Sequence, residues 1–78
     1  MRTFHFYIDD RRCGAPRSLT VQARDEARAE ELARVMLANS RHHIGIEVCE
    51  DGRRLFGFGS FAHRSWCEPA EPPRAAAG

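Results

Sequence analysis

Four short stretches of the chain alternate between apolar and polar residues, and a longer stretch between them follows a helical period. The alternating stretches are 3–9, 18–22, 44–49 and the segment RRLFGFGSF that begins at Arg53. In the first of them Phe4, Phe6 and Ile8 fall on one side, which is typical of a strand with one buried face. The pattern therefore predicts four strands, and each pair of consecutive strands is expected to form a hairpin.

The stretch DEARAEELARVMLANSR, which begins at Asp25, predicts an amphipathic helix. Its apolar residues Ala29, Leu32, Ala33 and Met36 recur at the i, i+3, i+4 and i+7 spacing that forms one stripe along a helix. Asp25 is expected to cap the helix, because its carboxylate can accept a hydrogen bond from an unpaired N–H of the first turn. The helix should bury its apolar stripe against the sheet.

The turn between the last two strands can take two lengths, and each length gives the following strand a different face. A two-residue Asp-Gly turn would place Phe56 and Phe58 on the face away from the helix. A three-residue loop at 50–52 would instead pair Ile46 with Phe56 and bury both rings. Burying a Phe side chain contributes about 1.5–3 kcal/mol, so we expect the three-residue loop, with a positive φ angle at Gly52.

These elements predict a single α+β domain of order ββαββ, with a four-stranded antiparallel sheet and one helix packed on one face. The pattern leaves the strand order open, although a helix between the two hairpins would allow the third strand to lie parallel to the first at the centre. We expect residues 1–63 to form the domain and 64–78, rich in Pro and Ala, to be a disordered tail. The expected core comprises Phe4, Phe6, Ile8, Leu19, Val21, Ile44, Ile46, Val48, Phe56 and Phe58 from the strands and Ala29, Leu32, Ala33 and Met36 from the helix.

The sheet face turned away from the helix, called the outer face below, is the main candidate for binding, because a single helix leaves it uncovered. The candidate binding residues on this face are His5, Tyr7, Glu47, Cys49, Arg53 and Leu55. Exposed Tyr7 and Leu55 on a domain of marginal size favour a protein contact, because association would add stability. We expect the protein to bind a protein partner or a second copy of itself, through this face or through a strand edge.

The charged residues do not indicate a nucleic-acid surface. The formal net charge of the 78 residues is +1, and the twelve basic residues, all Arg, are interleaved with acids rather than clustered. A nucleic-acid-associated regulator that uses Arg11, Arg12, Arg53 and Arg54 is therefore kept only as the alternative to a protein-binding function.

We expect neither a membrane span nor a secretory signal, since no apolar window approaches about 18 residues and the N-terminal stretch turns acidic early. Three cysteines without a regular disulfide framework predict free thiols in a reducing compartment. We therefore expect a cytoplasmic protein.

No catalytic or metal-binding pattern stands out in the chain. His63 and Cys67 have a ligand-like spacing, but a structural zinc site needs a second paired knuckle. Cys49 and His5 could face each other on the outer face, yet nothing supplies an orienting group or an oxyanion hole. We expect neither enzymatic activity nor a cofactor, a small-molecule substrate or a metal.

The segments RTFHFYIDD, ARDEARAEELARVMLA and IEVCEDGRRLFGF together resemble a family of short, uncharacterised bacterial proteins known as a domain of unknown function. The resemblance implies the same ββαββ fold and adds nothing on mechanism, since the family has no assigned activity. Members usually carry an Asp-x-Glu-Gly-like turn before the second strand, where this chain has DRRCGAPRSL. A weaker similarity is to the partly degenerate ribonuclease-H-like antitoxins, whose separate DNA-binding element has no counterpart here.

Overall fold

The computed structural model describes residues 1–66 and contains the five expected elements in the expected order. They are β1 (Arg2–Asp10), β2 (Arg17–Ala23), α1 (Glu26–Ala38), β3 (His43–Glu50) and β4 (Arg53–Gly59). The four strands form one antiparallel sheet, and α1 packs on one face of it. The α+β fold of order ββαββ is therefore confirmed.

The strand order is β2-β1-β3-β4, so the first and third strands are the central pair. They run antiparallel to each other, and the suggestion of a parallel central pair is wrong. Because β2 and β3 both run opposite to β1, they are parallel to each other, and α1 carries the chain back across the sheet between them.

The helix begins where the sequence predicts. The Asp25 carboxylate accepts a hydrogen bond from the backbone N–H of Arg28 at 2.9 Å, which caps the first turn. Ala29 and Ala33 are fully buried, and their small side chains allow the helix to approach the sheet closely. On the β4 side of the helix, Arg34 places its guanidinium carbon 4.4 Å from the centre of the Phe58 ring.

The β3–β4 turn has two residues, and the expected three-residue loop is wrong. Asp51 and Gly52 have φ angles of 54° and 78°, the backbone conformation of a type I′ hairpin turn, with Glu50 paired to Arg53. The register then shifts by one residue, which makes Leu55 a β-bulge.

The bulge returns the two Phe rings to the helix side of the sheet. Beyond it Val48 pairs with Phe56 and Ile46 pairs with Phe58, so both rings share the face of the core. The predicted face of the two rings is confirmed, whereas the predicted pair Ile46–Phe56 is wrong. The rings are half buried and lie 5.6 Å apart at the flank of the helix.

The fully buried core is narrower than the sequence predicts. Phe4, Phe6, Ile8, Ala29, Ala33, Ile46 and Val48 are buried together with Ala23. Two expected core residues are exposed instead: Leu19 keeps 40% of its surface and Ile44 keeps 38%. Leu19 lies on β2 at the edge of the sheet, and a cavity separates it from Met36 of the helix.

After β4 the chain folds back over the outer face, and residues 60–66 are called the C-terminal cover below. Phe61 is 1% exposed and lies over Gly57, where an added Cβ would be 2.6 Å from the Phe61 carbonyl oxygen. Trp66 donates a backbone hydrogen bond to Glu47, so contacts with the sheet extend past the expected domain boundary at residue 63. The rest of the expected tail lies outside the described residues.

Replacing Gly57 by Ala should destabilise the protein by about 1–3 kcal/mol, because the new methyl group displaces the backbone at Phe61. The matched control is Gly14→Ala, since a Cβ at Gly14 has no heavy atom within 4 Å and should change stability by less than about 0.5 kcal/mol. Urea unfolding monitored by circular dichroism measures both. Equal stability of the two variants would contradict the close approach of the C-terminal cover.

Candidate functional site

The six candidate binding residues do not form one exposed surface in the structure. His5 is exposed and Tyr7 is half buried on the outer face. Glu47 and Cys49 also belong to this face but are 0% and 1% exposed. The remaining two lie elsewhere: Arg53 pairs with Glu50, and Leu55 packs against the core. The two-residue turn explains the position of Arg53, because it pairs Arg53 with Glu50 rather than with Cys49. The bulge explains the position of Leu55, which is the extra residue of β4.

Glu47 is the carboxylate that holds the C-terminal cover on the sheet. One of its oxygens, Oε1, accepts a hydrogen bond from the backbone N–H of Trp66 at 2.7 Å. The other, Oε2, lies 3.2 Å from Nε of Arg54, whose Nη2 donates to the Phe61 carbonyl at 2.9 Å. A buried charge needs such partners, so Glu47 has a structural role.

Cys49 is disulfide-bonded, and the expectation of a free thiol at this position is wrong. Of the other two cysteines, Cys13 is free and exposed, while Cys67 lies outside the described residues. A buried disulfide sulfur is not a thiolate, so the arrangement does not provide the nucleophile that a Cys49–His5 pair would require.

Residues 60–66 leave the half of the outer face over β1 and β2 uncovered, and this half is polar. Next to it, Asp9 accepts hydrogen bonds from Ser60 at 2.6 Å and from Arg64 at 2.8 Å, which fixes the margin of the C-terminal cover. The residues of the uncovered half are Thr3, His5, Tyr7, Ser18, Thr20 and Gln22. This surface is small and contains no large aliphatic side chain.

The edge of β2 is a different kind of surface. All seven residues of β2 pair with β1 without a break, from Arg17 opposite Ile8 to Ala23 opposite Arg2. Within residues 1–66 no strand pairs with the other side of β2. An edge strand of this kind offers alternate backbone N–H and C=O groups to a further strand.

Two cavities lie between β2 and α1, and together they are called the edge groove below. Its first cavity, of about 270 Å³, lies between Leu19 and Met36 over Ile8, with Arg17 and His43 at its polar end. Cavities lined by apolar side chains with a few polar groups are the usual form of binding sites.

The second cavity of the edge groove has a volume of about 470 Å³. It lies between Ala23 of β2 and Leu32 of α1, and it has Arg28 and Glu31 on the helix side and Met1 at its end. The two cavities therefore lie beside the two ends of β2, and charged side chains line each of them.

Exposed apolar residues concentrate at the edge groove. Leu19 and Met1 line it and are 40% and 89% exposed. Val35 is 55% exposed and lies four residues from both Glu31 and Asn39, so it shares their side of the helix. Exposed apolar side chains gathered in one place mark interaction sites more reliably than single ones.

The polar end of the first cavity is built on Asp10, which is fully buried. Arg12 donates three hydrogen bonds to its carboxylate, at 2.9, 3.0 and 2.7 Å. These bonds hold the pKa of Asp10 well below its usual range. His43 Nδ1 lies 2.7 Å from the Met36 carbonyl, and its Nε2 is 3.9 Å from Asp10. Since a carbonyl only accepts, Nδ1 carries the hydrogen.

Sequence reasoning placed no function on β2 or on Asp10. The available signal was weak: a short alternating stretch predicts a strand, but only the strand order reveals that β2 is an edge. The structure assembles no group of three or more potential metal ligands among residues 1–66. None of the helices in this part of the chain is long and apolar enough to cross a membrane.

Asp10→Asn should lower the melting temperature at pH 7, because the amide cannot accept the charge-assisted bonds of Arg12. The native pKa lies below the unfolded value of about 3.9, so the carboxylate stabilises the fold above about pH 4 and loses this effect as the pH falls further. The variant should therefore show a flatter decline in melting temperature between pH 5 and pH 2. Glu30→Gln, which removes a carboxylate that pairs with Arg34 at 2.9 Å on the helix surface, serves as the control. An unchanged pH profile in Asp10→Asn would contradict this role.

Reduction with dithiothreitol should destabilise the protein by about 2–4 kcal/mol, because a disulfide constrains the unfolded chain. Cys13→Ser should retain both the stability and the sensitivity to reductant, whereas Cys49→Ser should lose both. Thermal unfolding with and without reductant measures the difference. If iodoacetamide alkylated Cys49 as readily as Cys13 in the native, unreduced protein, the disulfide assignment would be refuted.

Comparisons of this chain with protein-family models, with curated proteins and with solved structures gave no match in any of the three.

Proposed function

We propose that this protein is a small, non-catalytic binding protein that takes up an extended protein segment as an additional strand along β2. The observation that carries the proposal is the unbroken edge of β2 beside the edge groove. In binding of this type, backbone hydrogen bonds along the edge supply affinity, and pockets for alternate side chains supply specificity.

The two edges of the sheet differ in a way that supports this choice. On β4 the bulge at Leu55 interrupts the regular ladder, and Gly59 leaves the strand with a φ angle of 65°. Bulges of this kind protect a sheet edge from further pairing. β2 contains neither a bulge nor a proline, and its backbone keeps one register from end to end.

The edge groove matches the spacing of an added strand. Alternate side chains of a strand lie about 6.6–6.8 Å apart on one face. An added strand would direct such side chains over Leu19, beside the first cavity, and over Ala23, beside the second. These two positions are four residues apart on β2, so the side chains over them are separated by two repeats, about 13 Å. Its backbone would at the same time satisfy the outward-facing groups of β2.

The outer face supports a protein contact less well than the edge does. Its β3–β4 half is occupied by the C-terminal cover, whose own Phe61 is buried there together with Glu47 and Cys49 of β3. The uncovered half over β1 and β2 is polar. The support for a partner therefore rests on the strand edge, the second of the two surfaces that the sequence suggested.

The alternative, a nucleic-acid-associated regulator, has less support. Arg11 and Arg12 follow β1, while Arg53 and Arg54 begin β4 at the opposite end of the sheet. Strands of this length separate the two pairs by roughly 25 Å. Arg12 is also bonded to Asp10, so the four arginines do not form one basic patch. Cytoplasmic location likewise stays a prediction.

Leu19→Lys should weaken strand addition at least tenfold, because it places a charge over the first cavity without disturbing a fully buried position. The probe is a set of extended peptides selected from a random display library on the native protein, with affinity measured by isothermal titration. The matched control is Ile44→Lys, which replaces an aliphatic residue of nearly equal exposure outside the edge groove.

Changes in the NMR chemical shifts of the backbone amides should locate the site at which these peptides bind. The proposal expects the changes to lie on β2 and on the groove side of α1. Changes confined to the outer face, or equal losses of affinity in Leu19→Lys and Ile44→Lys, would overturn it.

A further inference from the structure

We infer that the strand added to β2 is β2 of a second copy of this chain, in a two-fold symmetric antiparallel pairing centred on Thr20. The inference rests on the proposed function and names its partner. Its basis is the symmetry of the β2 sequence, RSLTVQA, about its central residue. Ser18 and Gln22 flank the centre as polar residues, and Leu19 and Val21 flank it as apolar ones.

Pairing about Thr20 keeps the two helices on the same face of a continuous eight-stranded sheet. Leu19 and Val21 share the helix side of the sheet, because they pair with Phe6 and Phe4 of β1. In the symmetric register Leu19 of each copy lies opposite Val21 of the other, so apolar side chains meet on the helix side. A register shifted by one residue would place apolar side chains opposite polar ones and is disfavoured.

The symmetric register also fills the edge groove. Val21 of the second copy would lie beside Leu19, whose surface is 40% exposed at the first cavity. Because the axis is two-fold, the same contact forms twice. Val35, exposed on the same side of the helix, then lies at the margin of an apolar surface shared by both copies.

Charge complementarity supports the same register. Arg17 of one copy lies opposite Ala23 of the other, and Ala23 lines the second cavity together with Glu31. The side chain of Arg17 is 61% exposed, and its distance to Asp10 is 4.0 Å, at the limit of an ion pair. In this register Arg17 lies on the side of Glu31 of the second copy, an exposed carboxylate that pairs with Arg28 of its own helix at 3.0 Å and can accept a further donor. The Arg17–Glu31 pair, too, forms twice in the symmetric dimer.

A single cysteine at the symmetry axis tests the pairing. Directly opposed residues of an antiparallel pair have Cα atoms about 4.5–5.5 Å apart, within the range of a disulfide. Thr20→Cys, made in a Cys13→Ser background, should therefore give a covalent dimer on mild oxidation, seen on a non-reducing gel. Thr20 is exposed on the outer face, so the substitution leaves the core intact.

Cysteines on either side of the axis provide matched controls on the same strand and face. Ser18→Cys alone and Gln22→Cys alone place each cysteine about 13 Å from its symmetry mate, beyond disulfide reach. Neither should cross-link by itself, but a mixture of the two variants should. Adding Leu19→Lys to Thr20→Cys should lower the cross-linked fraction at least tenfold, and adding Ile44→Lys should not.

The outcomes separate this inference from the proposed function. Cross-linking by Ser18→Cys alone, or none by Thr20→Cys in a protein that sediments as a monomer, overturns the symmetric dimer. If selected peptides still shift the amides of β2 and α1 in that case, strand addition stands and only the partner is wrong. If the peptides bind elsewhere, both the symmetric dimer and strand addition along β2 are wrong.

Discussion

One helix must cover a four-stranded sheet, and this mismatch in width governs the rest of the structure. A helix is about 10 Å across and strands lie about 4.8 Å apart, so a single helix shields roughly two strands. Here α1 lies closest to β3, and the fully buried core runs along the two central strands. The outer strands β2 and β4 are left with apolar residues that the helix does not cover, Leu19 on one side and Phe56 and Phe58 on the other.

The apolar residues of the two outer strands β4 and β2 have different surroundings. On the β4 side the Arg34 guanidinium lies over Phe58, a bulge breaks the edge, and the C-terminal cover seals the outer face through Glu47. On the β2 side no comparable element is present among residues 1–66, and the edge groove remains open. A domain this small gains little stability from its own core, so covering the second flank would contribute a sizeable fraction of its total stability.

The sequence predicts the elements well because periodicity and capping are local properties, as Asp25 shows. It predicts the faces of Phe56 and Phe58 because their burial outweighs turn preference, but it cannot predict the turn itself. A three-residue loop and a two-residue turn followed by a bulge both place the rings on the helix side, so the alternation cannot distinguish them. The edge position of β2 and the burial of Glu47 depend on long-range contacts that no local pattern encodes.

Asp10 connects the stability of the fold with the chemistry of the edge groove. Its buried carboxylate is flanked by Arg12, Arg17 and His43, but these partners are not equivalent. Arg12 contacts both oxygens at hydrogen-bond distance, whereas Arg17 stays 4.0 Å away. Arg17 can therefore turn to another carboxylate without leaving a buried charge unpaired, a loss that would otherwise be severe. Arg17, the first residue of β2, is therefore available to a partner, because Arg12 already neutralises Asp10.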